Sequence, residues 1–341
     1  MELAKDLKSR QEVRNLVDAA DRAWQKLRHM DQKTLDIMMA MAESETEAEK
    51  TVQYLYDHFR TFLKRGETVM ICFSNARKGG LGWLMEQAVL RCGAAPLIWG
   101  PDYRWKTVLQ QAFYNRATVI MAPPLIVLGL SKLKKYTGLP IYIRHVVTAG
   151  YPCLDWMIEG IANGLDCSCR GVFTFGETGI VAGISCDHSA GVHIRKDAYD
   201  VHIVDPQGNC LPAGNMGEMI ITPKGMPELR LAMGENARIV EDSCPCGMES
   251  SRLMDMRPGS NVDADIFELS QKLLSWTSIL DCILKRGPYG MEVELVVFGG
   301  EKLPKLPSAA KQVIRSWNPS EDTPYFYMPT LKKPDFSAES H

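Results

Sequence analysis

Four residues in the second half of the chain have the types and spacing to hold a metal ion. Cys244-Pro245-Cys246-Gly247 sets two thiols close together in a turn, and the glycine lets the backbone fold back so that both sulfurs face one point. Upstream stand Cys186, His188 and His193. Two sulfurs from one turn, a third sulfur and one imidazole would complete a closed tetrahedral zinc site. His188 is a reserve ligand that could exchange with His193. The same residues have a plainer reading, as packed or reduced surface thiols, because C-x-C is less specific than paired C-x-x-C knuckles. Cys167-Ser168-Cys169 is a rival pair, although it leads into a strand-like run.

The elements that must position these residues follow from pattern. The chain has 341 residues, 45% of them hydrophobic, and a formal net charge of -2 with acids and bases interspersed. That length suggests two domains or one large one, and no basic block marks a nucleic-acid surface. Met1 to Arg14 has no apolar stretch of the signal-peptide kind, so the ten cysteines are expected to be reduced and the protein cytoplasmic. The longest apolar run, Val119 to Leu130, contains Pro123 and Pro124; it is too short to span a membrane and reads as a buried strand ending in a turn.

Residues 1–62 read as a helical N-terminal segment, with Val13, Leu16, Val17, Ala20, Trp24 and Leu27 on one face and Asp31 as an N-cap. Trp24 is expected to be buried. Ser44 to Lys50 reads as an acidic solvated stretch. Strands near Val69–Ser74, Ala95–Trp99 and Thr118–Ala122 alternate with helices near Leu84–Cys92 and Thr107–Asn115, which predicts βαβ units and a parallel sheet. After Gly171 short β-rich runs separated by turns take over. From Pro258 a mixed pattern returns, with a helix near Ile266–Leu274 and a strand at Glu292–Phe298. The fold class is α/β, divided as 1–62 helical, 63–257 a core carrying the metal site, and 258–341 a small α+β domain.

A longer pattern surrounds the cysteines. In order stand Ala149-Gly150-Tyr151-Pro152, Phe175-Gly176-Glu177-Thr178-Gly179, Cys186, Gly191-Val192-His193 and His202-Ile203-Val204-Asp205-Pro206. Gly217-Glu218-Met219, Arg230-Leu231-Ala232-Met233-Gly234-Glu235 and Cys244-Pro245-Cys246-Gly247 follow. This stretch resembles the core of phenylacetate–CoA ligases and the related coenzyme F390 synthetases, members of the adenylate-forming superfamily. A weaker likeness runs back through Gly79-Gly80-Leu81-Gly82 to about Arg65.

The resemblance implies the parallel-sheet body of adenylate-forming enzymes with a β-rich subdomain. It implies an enzyme that activates a carboxylate with ATP and passes the acyl group to coenzyme A, using positioning and charge stabilisation at the phosphates. It implies a structural zinc on Cys186, His193, Cys244 and Cys246. Gly150, Phe175, Gly176, Glu177 and Thr178 would border the adenine and α-phosphate, and Glu235 stands where the family has its ribose-binding Asp. Gly79, Gly80 and Trp83 would lie near the acyl pocket; core packing is the plainer reading of Phe175 and Trp83. Implied cofactors are zinc, magnesium with ATP or AMP, and CoA. Implied partners are a small-molecule carboxylate or acyl-CoA, with no nucleic acid and no membrane; a homodimer is left open.

The departures from the family pattern concern the phosphates. Where a Ser/Thr-Gly-rich loop belongs stands Ala42-Glu43-Ser44-Glu45-Thr46-Glu47-Ala48-Glu49, which has no glycine and whose carboxylates would repel a triphosphate. No G-x-x-x-x-G-K-[ST] motif replaces it. Gly179 stands where the magnesium-holding Glu belongs, with Glu177 two residues earlier. Ala232 and Met233 replace an expected arginine and threonine. Met256-Arg257-Pro258-Gly259 runs straight into Asn261-Val262 without the family's hinge, and Pro329 to Lys333 is a faint match to its catalytic-lysine tail. Gln11 to Glu43 also resembles the N-terminal helices of acylating aldehyde dehydrogenases, but no dinucleotide motif follows. Two functions are therefore expected: a ligase with altered phosphate handling, or a non-catalytic zinc-containing binding or regulatory protein on the ligase fold. No catalytic residue is assigned.

Overall fold

The computed structural model of the chain describes residues 32–100, 104–150, 154–175, 179–187, 191–259, 264–287, 290–298, 303 and 311–317. Trp24, Asp31 and the aldehyde-dehydrogenase-like stretch up to residue 31 lie outside these residues.

Two helices come first, α1 (Gln32–Glu43) and α2 (Glu45–Phe59). Ser44 separates them in an extended conformation, and its Oγ accepts from the Glu47 amide at 3.3 Å. The acidic stretch Ser44–Lys50 is mostly exposed, as expected, and forms an N-cap and the first helical turn. Ser44-x-x-Glu47 is a capping-box spacing, and Glu45 and Glu47 sit favourably at the positive end of the helix dipole.

Strands and helices then alternate: β1 (Thr68–Ile71), α3 (Leu81–Arg91), β2 (Ala95–Ile98), α4 (Trp105–Tyr114), β3 (Val119–Ala122), α5 (Pro124–Thr137), β4 (His145–Thr148), α6 (Asp155–Leu165) and β5 (Ser168–Thr174). The five strands pair in parallel, in the order β2-β1-β3-β4-β5. Val69–Ile71, Val119–Ala122 and Val146–Thr148 are buried without alternation, as strands covered on both faces are. The Val119–Leu130 run is not a strand ending in a turn: Ala122 closes β3 and Pro124 opens α5. Proline suits that first helical position because its missing amide would have had no partner there.

From β5 onward the sheet turns antiparallel. It continues through β6 (Val181–Ile184), β7 (Val192–Ile194), β11 (Arg252–Pro258), β10 (Leu231–Val240), β9 (Gly217–Pro223) and β8 (Tyr199–Val204), which makes eleven strands among the described residues. The chain then forms α7 (Ala264–Leu274), β12 (Ile279–Gly287), β13 (Gly290–Val297) and β14 (Lys311–Ser316), a three-stranded sheet with one helix.

Three apolar clusters hold these layers. One lies on the face of the parallel sheet covered by α4, α5 and α6, and it runs on without a break into Leu273, Leu274, Ile279, Cys282 and Leu295 of the C-terminal unit. A second packs α2 and α3 on Val69, Ile71, Phe73 and Val147. The third joins Met38 and Ala42 of α1 to Phe173, Phe175, Ile203, Leu231 and Leu253 of the antiparallel half. Among the described residues no helix is long and apolar enough to cross a membrane.

Candidate metal centre and ligand cavity

The β6–β7 hairpin and the β10–β11 turn meet because β7 pairs with both β6 and β11. Cys186 follows β6, and His193 sits in β7 opposite Arg252 of β11. Cys244 and Cys246 lie in the turn before β11, which the Gly247 amide closes onto the Cys244 carbonyl at 3.0 Å. The donor atoms of these four residues lie within 4.8 Å of one another. Cys186 Sγ is 3.6 Å from Cys244 Sγ, and Cys246 Sγ is 3.3 Å from His193 Nε2. With metal–sulfur bonds of about 2.3 Å and metal–nitrogen bonds of about 2.0 Å, a tetrahedral site has edges of roughly 3.5–3.8 Å. The Cys186–Cys244 and Cys246–His193 separations lie near these edges, and the full span of 4.8 Å needs only a small contraction onto an ion.

His193 Nδ1 lies 3.2 Å from the Ser250 carbonyl. With its proton on Nδ1 the ring donates to that carbonyl and leaves Nε2 for a metal, the arrangement that orients ligand histidines. His193 is almost fully buried, which fixes the ring further. Burial pushes the Cys246 thiol up to about 11, opposed by a hydrogen bond from the Met248 amide and reinforced by the neighbouring Cys244 and Cys186 thiols. The rival pair Cys167 and Cys169 is not part of this group, and His188 lies outside the described residues.

The other site residues distribute differently. Gly150 follows β4, and its amide donates to Thr174 Oγ1 at 2.9 Å. Phe175 is 3% exposed and packs in the same cluster as Met38, Ala42 and Ile180. Gly176, Glu177 and Thr178 lie outside the described residues. Glu235 is buried in β10, opposite Pro258 of β11. Gly80 is the N-cap of α3, and Trp83 packs half-buried against the α2–α3 cluster.

Gly79 and Gly179 are bound to one another by shape. Gly79 has φ 76°, and a Cβ there would strike the Ala42 carbonyl at the end of α1. Gly179 has φ 94°, and a Cβ there would strike the Gly79 carbonyl. Helix α1, the Gly79 loop and Gly179 therefore stack backbone on backbone. No glutamate fits at 179 in this arrangement. Residues 1–65 contain no glycine, so that stretch does not form a glycine-rich phosphate cradle.

A cavity of about 350 Å³ opens close to these residues. Its walls come from the start of α6 at Leu154 to Ile158, from Gly171 to Phe173 of β5, from Gly191 and Val192, from Leu253 to Met256 of β11, and from Phe267 and Gln271 of α7. It begins four residues after Gly150 and ends, on β5, two residues before Phe175. Glu235 is one strand away and is not among the described lining. Trp156 Nε1 donates to Gln271 Oε1 at 2.5 Å, tying α6 to α7 across one wall, and Ser185 Oγ accepts from the Gly171 amide at 2.7 Å. Sequence reasoning missed this cavity because its lining comes from six separate segments and has no motif.

No family model matches the sequence, and no curated protein matches it. Among solved structures, the chain is similar to 2-hydroxyisobutyryl-CoA ligase in the postadenylation state in complex with R3-HIB-AMP. The TM-score is 0.67 at 11% identity, over 85% of this chain and 71% of that one. It is also similar to an anthranilate CoA ligase in complex with anthranoyl-AMP, with a TM-score of 0.54 at 13% identity over 83% of this chain and 61% of that one. A benzoate CoA ligase from Burkholderia xenovorans gives a TM-score of 0.53 at 13% identity, over 84% of this chain and 65% of that one. The parallel five-strand half, its antiparallel continuation and the separate small sheet are thus the α/β fold of the adenylate-forming acyl-CoA ligases.

Proposed function

We propose that this chain is a zinc-containing, ligand-binding protein of the phenylacetate–CoA ligase type that no longer activates carboxylates with ATP. The carrying observation is the backbone stack of Ala42, Gly79 and Gly179. It sets a helix end where the family pattern calls for a phosphate loop, and it excludes a carboxylate side chain where that pattern has its magnesium ligand. Triphosphate affinity needs backbone donors in a glycine-rich loop together with a metal ion. The stack of Ala42, Gly79 and Gly179 weighs against the loop and against a carboxylate at position 179.

One zinc on Cys186, His193, Cys244 and Cys246 has a structural role in this reading. It ties the β6–β7 hairpin to the β10–β11 turn and so fixes one wall of the cavity. All four donors come from the chain, which leaves no open coordination position for chemistry.

A second reading, an adenylate-forming ligase that binds AMP and passes an acyl group to CoA, is favoured by Glu235. It stands where the resembling family has its ribose-binding Asp, and a carboxylate can accept from two ribose hydroxyls. Under that reading the nucleotide lies between Gly150, the 175–178 loop and Glu235, with Gly79, Gly80 and Trp83 toward the acyl group. Calorimetry with ATP, AMP and CoA, each with magnesium, separates the two. The proposal expects no heat of binding from magnesium-ATP. Micromolar magnesium-ATP binding that Glu235→Ala abolishes would establish the ligase reading.

A further inference from the structure

The reading of the cavity as a ligand site leaves its ligand open, and its charge narrows the choice. The walls are mainly apolar, with Trp156, Phe173, Leu253 and Phe267 among them. Gly171 and Gly191 carry no side chain and leave room between these walls. The charged groups in the described lining are two carboxylates, Asp155 on the first turn of α6 and Asp255 on β11. Among the described residues the lining has no lysine, arginine or histidine.

The two carboxylates come from different elements, α6 and β11, and Asp255 is near enough for its charge to act on Asp155. Both are exposed, so the rim opens to solvent while the interior does not. Asp255 has φ 55°, a left-handed conformation, and pairs with Arg238 of the neighbouring strand, whose side chain is outside the lining. Asp155 has no such partner among the described ion pairs; burial first, then the charges of Asp255 and Glu159, hold its carboxyl above the usual carboxylate range. A carboxylate, phosphate or adenylate entering here would meet the charge of Asp155 and of Asp255, only the second of which is offset, by Arg238.

We infer that the cavity takes a small amphiphilic cation, a primary amine on an aromatic or branched aliphatic body. The ammonium lies at the rim between Asp155 and Asp255, and the body lies against Trp156, Phe173 and Phe267. The cavity's size suits a single ring with a short chain, and the apolar interior supplies the affinity while the rim supplies the sign. This inference rests on the ligand-binding reading above, but it concerns which ligand binds rather than whether ATP is used.

Calorimetry on the full chain with three probes of one shape tests it: 2-phenylethylamine, 2-phenylethanol and phenylacetate, without nucleotide. The amine is expected to bind about ten-fold more tightly than the alcohol, since two exposed charge pairs each supply a modest gain. Phenylacetate is expected to bind more weakly than the alcohol. Asp155→Asn should cost the amine about three- to five-fold and leave the alcohol unchanged. Asp255→Asn gives the same contrast, and the unchanged alcohol affinity serves as the control for folding. Phenylacetate binding as tightly as the amine, an amine affinity indifferent to both substitutions, or no amine binding would each overturn the inference. ATP-dependent activity would overturn the proposed function and leave this comparison of probes standing by itself.

Discussion

His193 is where the account of the metal is most exposed. Its Nε2 faces Cys246 Sγ at 3.3 Å and its Nδ1 faces the Ser250 carbonyl at 3.2 Å, so one ring serves both a metal and a backbone acceptor. Elemental analysis of the purified protein should find about one zinc per chain, as a closed four-ligand site requires. The double substitution Cys244→Ser, Cys246→Ser should lose that zinc and lower the melting temperature. A variant as zinc-loaded and as stable as the parent would contradict the assignment. These four residues were legible in the sequence because two of them share one turn and all of them fall in a recognisable order. Phe175 was not: its type suits an adenine wall and a packed core alike, and only the position of α1 puts it beside Met38 and Ala42. Asp155 and Asp255 were equally hidden, since residues a hundred apart are seen to line one cavity only once the chain is folded.

Helix α1 decides the phosphate question at the scale of elements. Its last turn ends on Gly79, whose left-handed backbone and missing side chain both permit the contact. Gly79→Ala should therefore cost at least about 2 kcal/mol of unfolding free energy, from the strained φ and the collision with Ala42 together. A loss below about 0.5 kcal/mol in urea denaturation, ordinary for an exposed loop substitution, would show that α1 does not dock there.

Two helices gave no signal that sequence reasoning could use. Residues Pro124 to Leu133 of α5 are buried throughout, so no amphipathic stripe announces a helix. Helix α6 starts after Leu154, whose side chain makes no capping bond, so no start signal precedes it. Helix α2 did carry one, in Ser44 and Glu47, and it falls within the segment 1–62 that reads as helical. The βαβ alternation survived these omissions because β1, β2 and β3 are each separated by an unmistakable helix. The C-terminal unit was legible as mixed α and β from Ile266–Leu274 and Glu292–Phe298.

Across the whole molecule, the C-terminal unit is docked through a shared core and one buried cation. Lys132 of α5 donates to the carbonyls of Leu274 at 2.5 Å and Ile279 at 2.7 Å, at the end of α7 and the start of β12. Burial lowers its pKa from 10.5 to about 8, with Cys282 and Asp281 opposing that shift. A lysine whose folded value lies below its unfolded one binds its proton better when unfolded. The penalty is full below about pH 8 and is relieved as the pH rises toward 10.5. Unfolding free energy of the parent measured against Lys132→Met should therefore rise between those limits, by up to roughly 3 kcal/mol. A difference that stays flat or falls would contradict a buried lysine at this junction. The comparison with a variant removes the titration of other groups over the same range.

The central claim is that a ligase fold persists here without ATP-dependent activation of a carboxylate. ATP–pyrophosphate exchange over a panel of aromatic and aliphatic carboxylates, with magnesium and zinc-loaded full-length protein, reads that step directly. The account predicts no exchange above the protein-free background for any acid. Robust exchange with one of them, abolished by Glu235→Ala, would contradict it and show that the backbone stack of Ala42, Gly79 and Gly179 leaves the adenylation step intact.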